Sequence, residues 1–381
     1  MPISTRTTGS LIYSLNAGRR GCLSVSKILF WTWTPSGGER SIVLRNLRSF
    51  RVVVVVAIGI AFASTGAEAQ RDLRVRIGTL VPAGSLWHET LQDMSQEWSR
   101  ISNGAVRIQI FAGGVLGDEL EMVRKVRQGQ LQAVALSSVG LSRIDEGVAC
   151  LQIPMLLESY AELDYVRDRI APVLEARIEA KGFKVLNWAD GGWVRTFSKS
   201  VARTPDDLKQ MKLFVSAGDP ESESLYKQFG FNVVPLSLVD LVTSLQTGMI
   251  DAVPVVPLLA QLQELHKLMP HMLDVKLLPL VGGTVIDTRT WDRLPAEHRD
   301  DMLEAAYRAG SQLRDEIRQM GDDSVTEMAK RGLTVNVPDA STLNVWRSEV
   351  ERAYSSLRGE YCPAEIFDEV LRLRDDYRAA R

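Results

Sequence analysis

The strongest constraint on the fold is a pattern that occurs twice, in which glycine ends a helix and a short apolar strand begins almost at once. The chain reads GQLQAV at 129–134 and GMIDAV at 248–253. Glycine tolerates the left-handed conformation that closes many helices, and the apolar run that follows is typical of a buried parallel strand. The pattern therefore predicts an α/β fold in which a similar helix-to-strand unit is built in two places.

Hydrophobic periodicity around these units supports the same fold class. Val75 and Ile77 alternate with arginines as a strand, and a loop at 79–85 leads into a helix. The apolar residues that recur at helical spacing in that helix are Trp87, Leu91, Met94 and Trp98. A long helical stretch from about 295 to 330 and a helical, apolar tail complete the chain.

The length of the chain predicts two lobes. Residues 70–381 exceed the size at which one hydrophobic core usually keeps growing. We expect a first lobe at 70–190, a second lobe at 191–280, and a return to the first lobe at 281–381 that contributes a long bridging helix and C-terminal helices. Because ligands of open α/β sheets bind beyond the carboxyl ends of the strands, we expect a binding cleft between the two lobes.

The N-terminal region has the features of a secretory signal peptide. Arg45, Arg48 and Arg51 precede an apolar run at 52–62, and Ala-Glu-Ala at 67–69 provides a small-x-small cleavage site. We therefore expect residues 1–69 to be a leader that is removed on export to the periplasm. The apolar run is shorter than the ~20 residues that span a bilayer, so we expect the mature protein not to be inserted in the membrane.

The charge of the remaining chain argues against nucleic-acid binding. Residues 1–69 carry eight Lys or Arg and two Asp or Glu, while the whole chain has a formal net charge of −2. Removing the leader's net charge of +6 leaves about −8 for the mature protein. An acidic chain lacks the basic surface that nucleic-acid binding requires.

The cysteines predict little covalent cross-linking. Cys150 and Cys362 are the only cysteines that follow the leader. Two cysteines in a chain of this length do not make a disulfide scaffold, although an oxidising compartment would permit one bond. We expect two separate buried thiols.

Common signatures of catalysis are missing from the sequence. It contains no Gly-x-Ser-x-Gly elbow, no Gly-Lys-Ser/Thr phosphate loop and no His-Glu-x-x-His pair. His266 and His271 are five residues apart with Pro270 between them, a spacing that does not favour a zinc site. The sequence therefore predicts a binding protein rather than an enzyme, with no cofactor and no metal.

Five segments share their order and spacing with one protein family. They read GGVLGDE at 113–119, GQLQA at 129–133, TPDDLK at 204–209, PLSLVD at 235–240 and LQTGMID at 245–251. Together they resemble the DctP-type solute-binding proteins of TRAP transporters, over essentially the whole chain after the leader. The resemblance implies two α/β lobes that close on a small-molecule ligand, a long helix that crosses both lobes, and delivery of the ligand to a permease with one small and one large membrane subunit.

The predicted binding site is where this chain departs from that family. Most members have a Lys-x-Arg segment whose arginine binds a ligand carboxylate, whereas residues 212–214 here read Lys-Leu-Phe. The family often has Asn and Pro in a later strand, whereas residues 252–257 here are Ala-Val-Pro-Val-Val-Pro. The resemblance thus indicates a divergent branch without the usual arginine. Because an unpaired carboxylate is costly in an apolar cleft, we expect an apolar or amphipathic ligand that contacts Phe214 and Val255.

Other candidate ligand contacts carry alternatives. Trp193 and Arg195 alternate along a predicted strand and share one face, and Arg195 lies near another arginine of the family, so a small mono- or dicarboxylate held by Arg195 is the alternative ligand. Trp87 is a further candidate, although its helical stripe favours core packing. Ser137 and Ser138 would either hydrogen-bond the ligand or cap the next turn. A further interpretation keeps the binding protein but gives it a signalling receptor as partner.

Overall fold

The computed structural model describes residues 72–380. These residues form two mixed β-sheets with helices packed on them. The predicted leader at 1–69 lies outside them. The strands are β1 (Leu73–Thr79), β2 (Val106–Phe111), β3 (Ala133–Ser137), β4 (Phe183–Trp193), β5 (Arg195–Ser198), β6 (Leu213–Ser216), β7 (Val233–Leu236), β8 (Ala252–Val255), β9 (His271–Leu273), β10 (Pro279–Asp287) and β11 (Thr334–Asn336). The first sheet has the order β2-β1-β3-β10-β4, and the second has the order β11-β9-β5-β8-β6-β7.

Helices cover the faces of both sheets. In chain order they are α1 (Leu86–Ile101), α2 (Glu119–Arg127), α3 (Ser138–Ser142), α4 (Tyr160–Glu179), α5 (Pro205–Lys209), α6 (Pro220–Gln228), α7 (Leu241–Gln246), α8 (Pro257–Leu262), α9 (Thr288–Trp291), α10 (Arg299–Lys330), α11 (Ala340–Ser356) and α12 (Ala364–Ala379). This architecture confirms the predicted α/β class, the long helix and the helical C-terminus. None of the helices between residues 72 and 380 is both long and apolar enough to cross a membrane.

Each sheet contains parallel pairs of the kind that the sequence predicts. β1 pairs in parallel with β2 and with β3, and β6 pairs in parallel with β7 and with β8. The two repeated segments end α2 and α7 and begin β3 and β8, with Gly129 and Gly248 both at φ +74°. We call one sheet with the helices packed on it a lobe. The same glycine-to-strand segment therefore begins one strand in each lobe.

Two of the chain crossings between the lobes run side by side. The chain leaves the first sheet after Trp193 and enters the second at Arg195, and it returns between β9 and β10. The crossings are hydrogen-bonded to each other, since Val194 N donates to Leu278 O at 2.9 Å and Leu277 N donates to Val194 O at 3.2 Å. We name this paired connection the hinge.

Helix α10 packs against both lobes. Its 32 residues contact β4 and α1 of the first lobe and α8 of the second, and Met328 near its end is buried in the core of the second lobe. Gly310 permits the closest approach to β4, because a Cβ atom there would lie 2.7 Å from the backbone oxygen of Trp188. The bridging helix predicted from about 295 to 330 thus begins at Arg299 and ends at Lys330.

The segments after α10 divide between the lobes. β11 joins the second sheet, and α11 packs beside it, where Nε1 of Trp346 donates to the backbone oxygen of Arg203 at 2.8 Å. α12 packs on α4 of the first lobe, where Nε of Arg378 donates to Glu162 at 2.6 Å. The limits 70–190, 191–280 and 281–381 stay predictions, and within the last segment β11 belongs to the second sheet.

A disulfide joins Cys150 to Cys362, with Cα atoms 5.5 Å apart. Cys150 lies in the 3₁₀ helix Glu146–Gln152, and Cys362 immediately precedes the turn into α12. The prediction of two separate thiols was wrong. The physical reason is that α12 folds back onto the first lobe and brings together two cysteines that are 212 residues apart in the sequence.

Candidate ligand-binding cleft

The two lobes meet where the parallel strands end. Gly114, in the loop after β2, has φ +71°, and a Cβ atom there would lie 2.6 Å from Cγ1 of Val239, which follows β7 in the second lobe. A Cβ atom on Gly218, after β6, would lie 3.7 Å from Cγ1 of Val139 in the first lobe. The lobes are therefore in contact across the ends of β2, β3, β6 and β7, and the arrangement is a closed one.

An ion pair crosses from one lobe to the other at this boundary. Arg143 follows α3 in the first lobe, and Nη1 and Nη2 of its guanidinium both donate to the Glu221 carboxylate, with Nη1 at 3.1 Å. Nη2 is also 3.9 Å from the carboxylate of Asp219, which caps α6. The hydrogen bonds from Arg143 hold the pKa of Glu221 below its ordinary value, whereas burial raises the pKa of Asp219. We name Arg143, Asp219 and Glu221 the latch.

The two serines at the end of β3 have protein partners. Ser137 caps α3, and its hydroxyl donates to Oε2 of Glu119 at 2.7 Å while its backbone N donates to Oε1 at 2.6 Å. The Ser138 hydroxyl donates to Oε1 of Gln152. Burial raises the pKa of Glu119 despite these hydrogen bonds. The geometry thus shows the capping alternative for Ser137 and gives Ser138 a buried structural contact.

Trp193 and Arg195 flank the hinge residue Val194, and each is only 4 % exposed. Nε of Arg195 donates to Asp274 at 2.7 Å. Nη1 of Arg195 and Nε1 of Trp193 are buried and lack a hydrogen-bond partner among residues 72–380. A buried donor without an acceptor costs about 1–3 kcal/mol, so an acceptor brought to either of these donors would be stabilising.

Phe214 and Val255 lie on the same face of the second sheet. Each is 7 % exposed, and both belong to the apolar core of the second lobe with Phe197. Arg195 is directly opposite Val255 in the antiparallel β5–β8 pair, so their side chains share that face. The structure thus brings the charged Arg195 next to the apolar positions that the sequence analysis singled out.

Trp87 does not share the buried environment of the other apolar residues at the same helical spacing. Leu91, Met94 and Trp98 are buried in the core of the first lobe. Trp87 is only half-buried and packs on a small apolar cluster that Leu258 of α8 forms with Leu313 and Ile317 of α10. Its Nε1 donates to the backbone oxygen of Asp190 at 3.4 Å. It therefore lies at a contact between the lobes rather than in the core of one.

Comparison with known proteins agrees with the resemblance. Residues 77–360 match the family DctP, described as bacterial extracellular solute-binding protein, family 7. The chain belongs to this family. Its members and the solved structures similar to it are binding proteins for solutes and not enzymes.

Two relatives in this family are identical to the chain at about a quarter of the aligned residues. A solute-binding protein of Verminephrobacter eiseniae is 26% identical over 277 residues, covering 71% of this chain and 80% of that protein. The 2,3-diketo-L-gulonate-binding periplasmic protein of Escherichia coli K12 is 26% identical over 299 residues, covering 76% of this chain and 88% of that protein.

Solved structures of TRAP solute-binding proteins have the same two-lobed fold. The sugar acid binding protein of Advenella mimigardefordensis, solved with galactonate, has a TM-score of 0.75 at 19% identity and covers 80% of this chain and 99% of that one. A TRAP periplasmic solute-binding protein of Xanthobacter autotrophicus Py2, solved with β-D-galacturonate, has a TM-score of 0.72 at 21% identity, covering 79% of this chain and 99% of that one.

The sequence analysis did not predict the side-chain contacts between the two lobes of this protein. It did not pair Asp219 and Glu221 with Arg143, which both of them face across the boundary. It also missed Asp190, a buried carboxylate of β4 that binds Arg167 of α4 at 3.1 Å and Arg318 of α10. The local sequence carries no signal for either, because each partner comes from a distant segment.

Proposed function

We propose that this chain is the periplasmic receptor of a TRAP transporter, which captures a small amphipathic organic molecule and delivers it to the small and large membrane subunits of a permease. The family assignment supports the receptor role. The predicted leader at 1–69 and the relative named as a periplasmic binding protein support export. The absence of a catalytic signature in the sequence fits capture without chemistry.

The ligand that we propose has one acceptor group, most simply a carboxylate, on an otherwise largely apolar body. The observation that carries this proposal is Nη1 of Arg195, a buried cationic donor without a partner in residues 72–380, with Nε1 of Trp193 in the same condition. Val255 lies beside Arg195 on the sheet, and Phe214 belongs to the same apolar core. A ligand that matches this surface presents its acceptor to the hinge and its apolar part to the second lobe.

This ligand class differs from the ligands of the related structures. Those proteins were solved with sugar acids such as galacturonate and galactonate, which carry hydroxyl groups around the whole molecule. Burying each hydroxyl without a hydrogen bond costs roughly 1–3 kcal/mol. Phe214 and Val255 have no polar side-chain atoms to satisfy such groups, so an amphipathic acid fits this chain better than a sugar acid.

Capture proceeds by closure of the lobes. A ligand that touches the hinge and the second lobe as well as the first lobe binds the closed arrangement better than an open one, and this difference in affinity shifts the population. The latch adds an attraction between the lobes that exists only when they meet. Release to the permease then requires the loss of both sets of contacts.

The first test identifies the ligand. Native mass spectrometry of the protein purified from the periplasm, followed by extraction, should recover an organic acid with a substantial apolar part. A recovered sugar acid, or a compound without any hydrogen-bond acceptor, would overturn the proposed ligand class while leaving the receptor role intact. Failure to find the protein in the periplasmic fraction would overturn the receptor role itself.

The second test uses variants of the hinge arginine with the recovered acid. Arg195→Met removes the guanidinium at similar length, and we expect calorimetry to show affinity about 10- to 100-fold weaker, because a hydrogen bond to a charged group contributes ~1.5–3 kcal/mol. Asp274→Asn is the matched variant, since it keeps Arg195 and an acceptor for its Nε but removes the neutralising charge, so binding of the acid should not weaken. Equal affinity of Arg195→Met and wild-type protein would exclude Arg195 as a ligand contact.

A further inference from the structure

A second cavity lies on the face of the second sheet opposite to Phe214 and Val255. Its volume is about 100 Å³, and its walls come from that sheet, from α6 and α11, and from the turn Leu357–Tyr361. None of the seven residues proposed from the sequence to contact the ligand lines it. Representative lining residues are Pro154, Leu225, Leu277, Leu278, Trp346 and Ala353.

The chemistry of the walls favours an apolar guest. Gln152 uses both ends of its amide, since Nε2 donates to Pro279 O at 2.9 Å and Oε1 accepts from Ser138. The hydroxyl of Ser222 donates to Asp219 at 2.6 Å, and Glu349 is paired with Lys209 at 2.8 Å. Since these polar groups already have partners, a polar guest would lose hydration without gaining new hydrogen bonds.

The size of the cavity suits a small ring. Apolar cavities of ~150 Å³ in proteins remain dry and bind benzene-sized molecules. The present cavity is of the same order, and its aromatic lining, which includes Tyr226, Phe229 and Phe231, provides flat surfaces for such a ring. The guest is therefore of the class of small aromatic or short aliphatic molecules.

The cavity is built from both lobes at the back of the hinge. Pro154 belongs to the first lobe and Leu225 to the second, while Leu277 and Leu278 belong to the paired crossing between them. Rotation of one lobe about that crossing must move these walls relative to each other. A guest that fits the closed arrangement therefore has a different affinity for an open one, which is the condition for coupling between two sites.

We propose that this hinge cavity is a second binding site, which takes a small apolar molecule and whose occupancy is coupled to closure of the cleft. The existence of the site does not depend on the ligand of the cleft. The coupling rests on the closure mechanism proposed above, so the two parts are tested separately.

Binding at the site is tested with 4-fluorotoluene as the probe, observed by ¹⁹F NMR on the full mature protein. We expect saturable binding to wild-type protein and at least tenfold weaker binding to Ala353→Leu, which fills the cavity. Ala340→Leu, at an exposed position of the same helix, is the matched control and should bind as wild type does. Leu225→Phe is a second filling variant in case Ala353→Leu does not fold. No saturable binding to wild type, or equal binding to a folded filling variant, would overturn the site.

Coupling is tested with the same probe and the latch. Arg143→Ala weakens the closed arrangement, so we expect its affinity for 4-fluorotoluene to fall about two- to fivefold relative to wild type. Arg124→Ala removes a comparable pair with Glu121 inside the first lobe and should leave the affinity unchanged. An unchanged affinity in Arg143→Ala would refute the coupling while leaving the cavity as a binding site, and neither result depends on which acid the cleft binds.

Discussion

The disulfide between Cys150 and Cys362 should contribute a large part of the stability of the mature protein. It closes a loop over a sequence separation of 212 residues, for which the chain-entropy treatment gives about 5 kcal/mol of stabilisation. Helix α12 is also held by apolar contacts, since Ile366, Phe367 and Val370 are buried in the first lobe. We therefore expect Cys150→Ala/Cys362→Ala to lower the free energy of unfolding by about 2–5 kcal/mol, against a typical total of ~5–15 kcal/mol.

Guanidinium denaturation followed by tryptophan fluorescence measures this loss. Wild-type protein treated with reductant is the control, because it keeps both sulfur atoms and so separates the cross-link from the packing change. Hydrogen exchange should show that the loss of protection begins in α12, which follows Cys362 directly. Thiol titration of the unfolded, unreduced protein should find no free thiol in the mature chain. Two free thiols, or a loss of stability below 1 kcal/mol in both the variant and the reduced protein, would refute the reasoning.

Two further predictions concern contacts at the surface. Arg143→Ala should weaken binding of the cleft ligand about two- to fivefold in calorimetry, because a partly exposed ion pair contributes ~0.2–1 kcal/mol. Arg124→Ala is the control and should have no effect. Equal affinities of Arg143→Ala and wild-type protein would show that the latch does not favour closure. Hydrogen bonds from Thr342 N and the Ser341 hydroxyl lower the pKa of Asp339, the cap of α11, to about 2. Since this pKa is depressed, the stabilisation exists above the ordinary carboxyl pKa and is lost as pH falls from about 4 to 2. Asp339→Ala should therefore lower the melting temperature at pH 7 but much less at pH 2, and a gap that is independent of pH would contradict this.

The sequence predicted those parts of the structure that depend on neighbouring residues. The repeated glycine segments correctly located the ends of α2 and α7 and the starts of β3 and β8, because a left-handed residue and an apolar run act locally. The α/β class and the bridging helix followed from periodicity for the same reason.

Contacts between distant segments were beyond this reasoning. The latch joins residues 78 positions apart, and the cysteines are 212 positions apart. Trp87 illustrates the difference within one helix, since its spacing matches the core stripe, whereas it packs on the cluster that Leu258 of the second lobe forms with two residues of α10. For the candidate site, the sequence identified Arg195 and Val255 separately, and only the pairing of β5 with β8 placed them side by side.

Because α10 approaches β4 closely at Gly310, a change in packing at this residue would tilt the helix. From residue 310 to Lys330 the helix extends about 30 Å at 1.5 Å per residue, and its far end is buried in the second lobe. A side chain at 310 would push the helix away from β4. A small tilt of the helix at residue 310 would displace Met328, in the core of the second lobe, by a larger distance. We therefore expect a larger residue at 310 to change the angle at which the two lobes face each other.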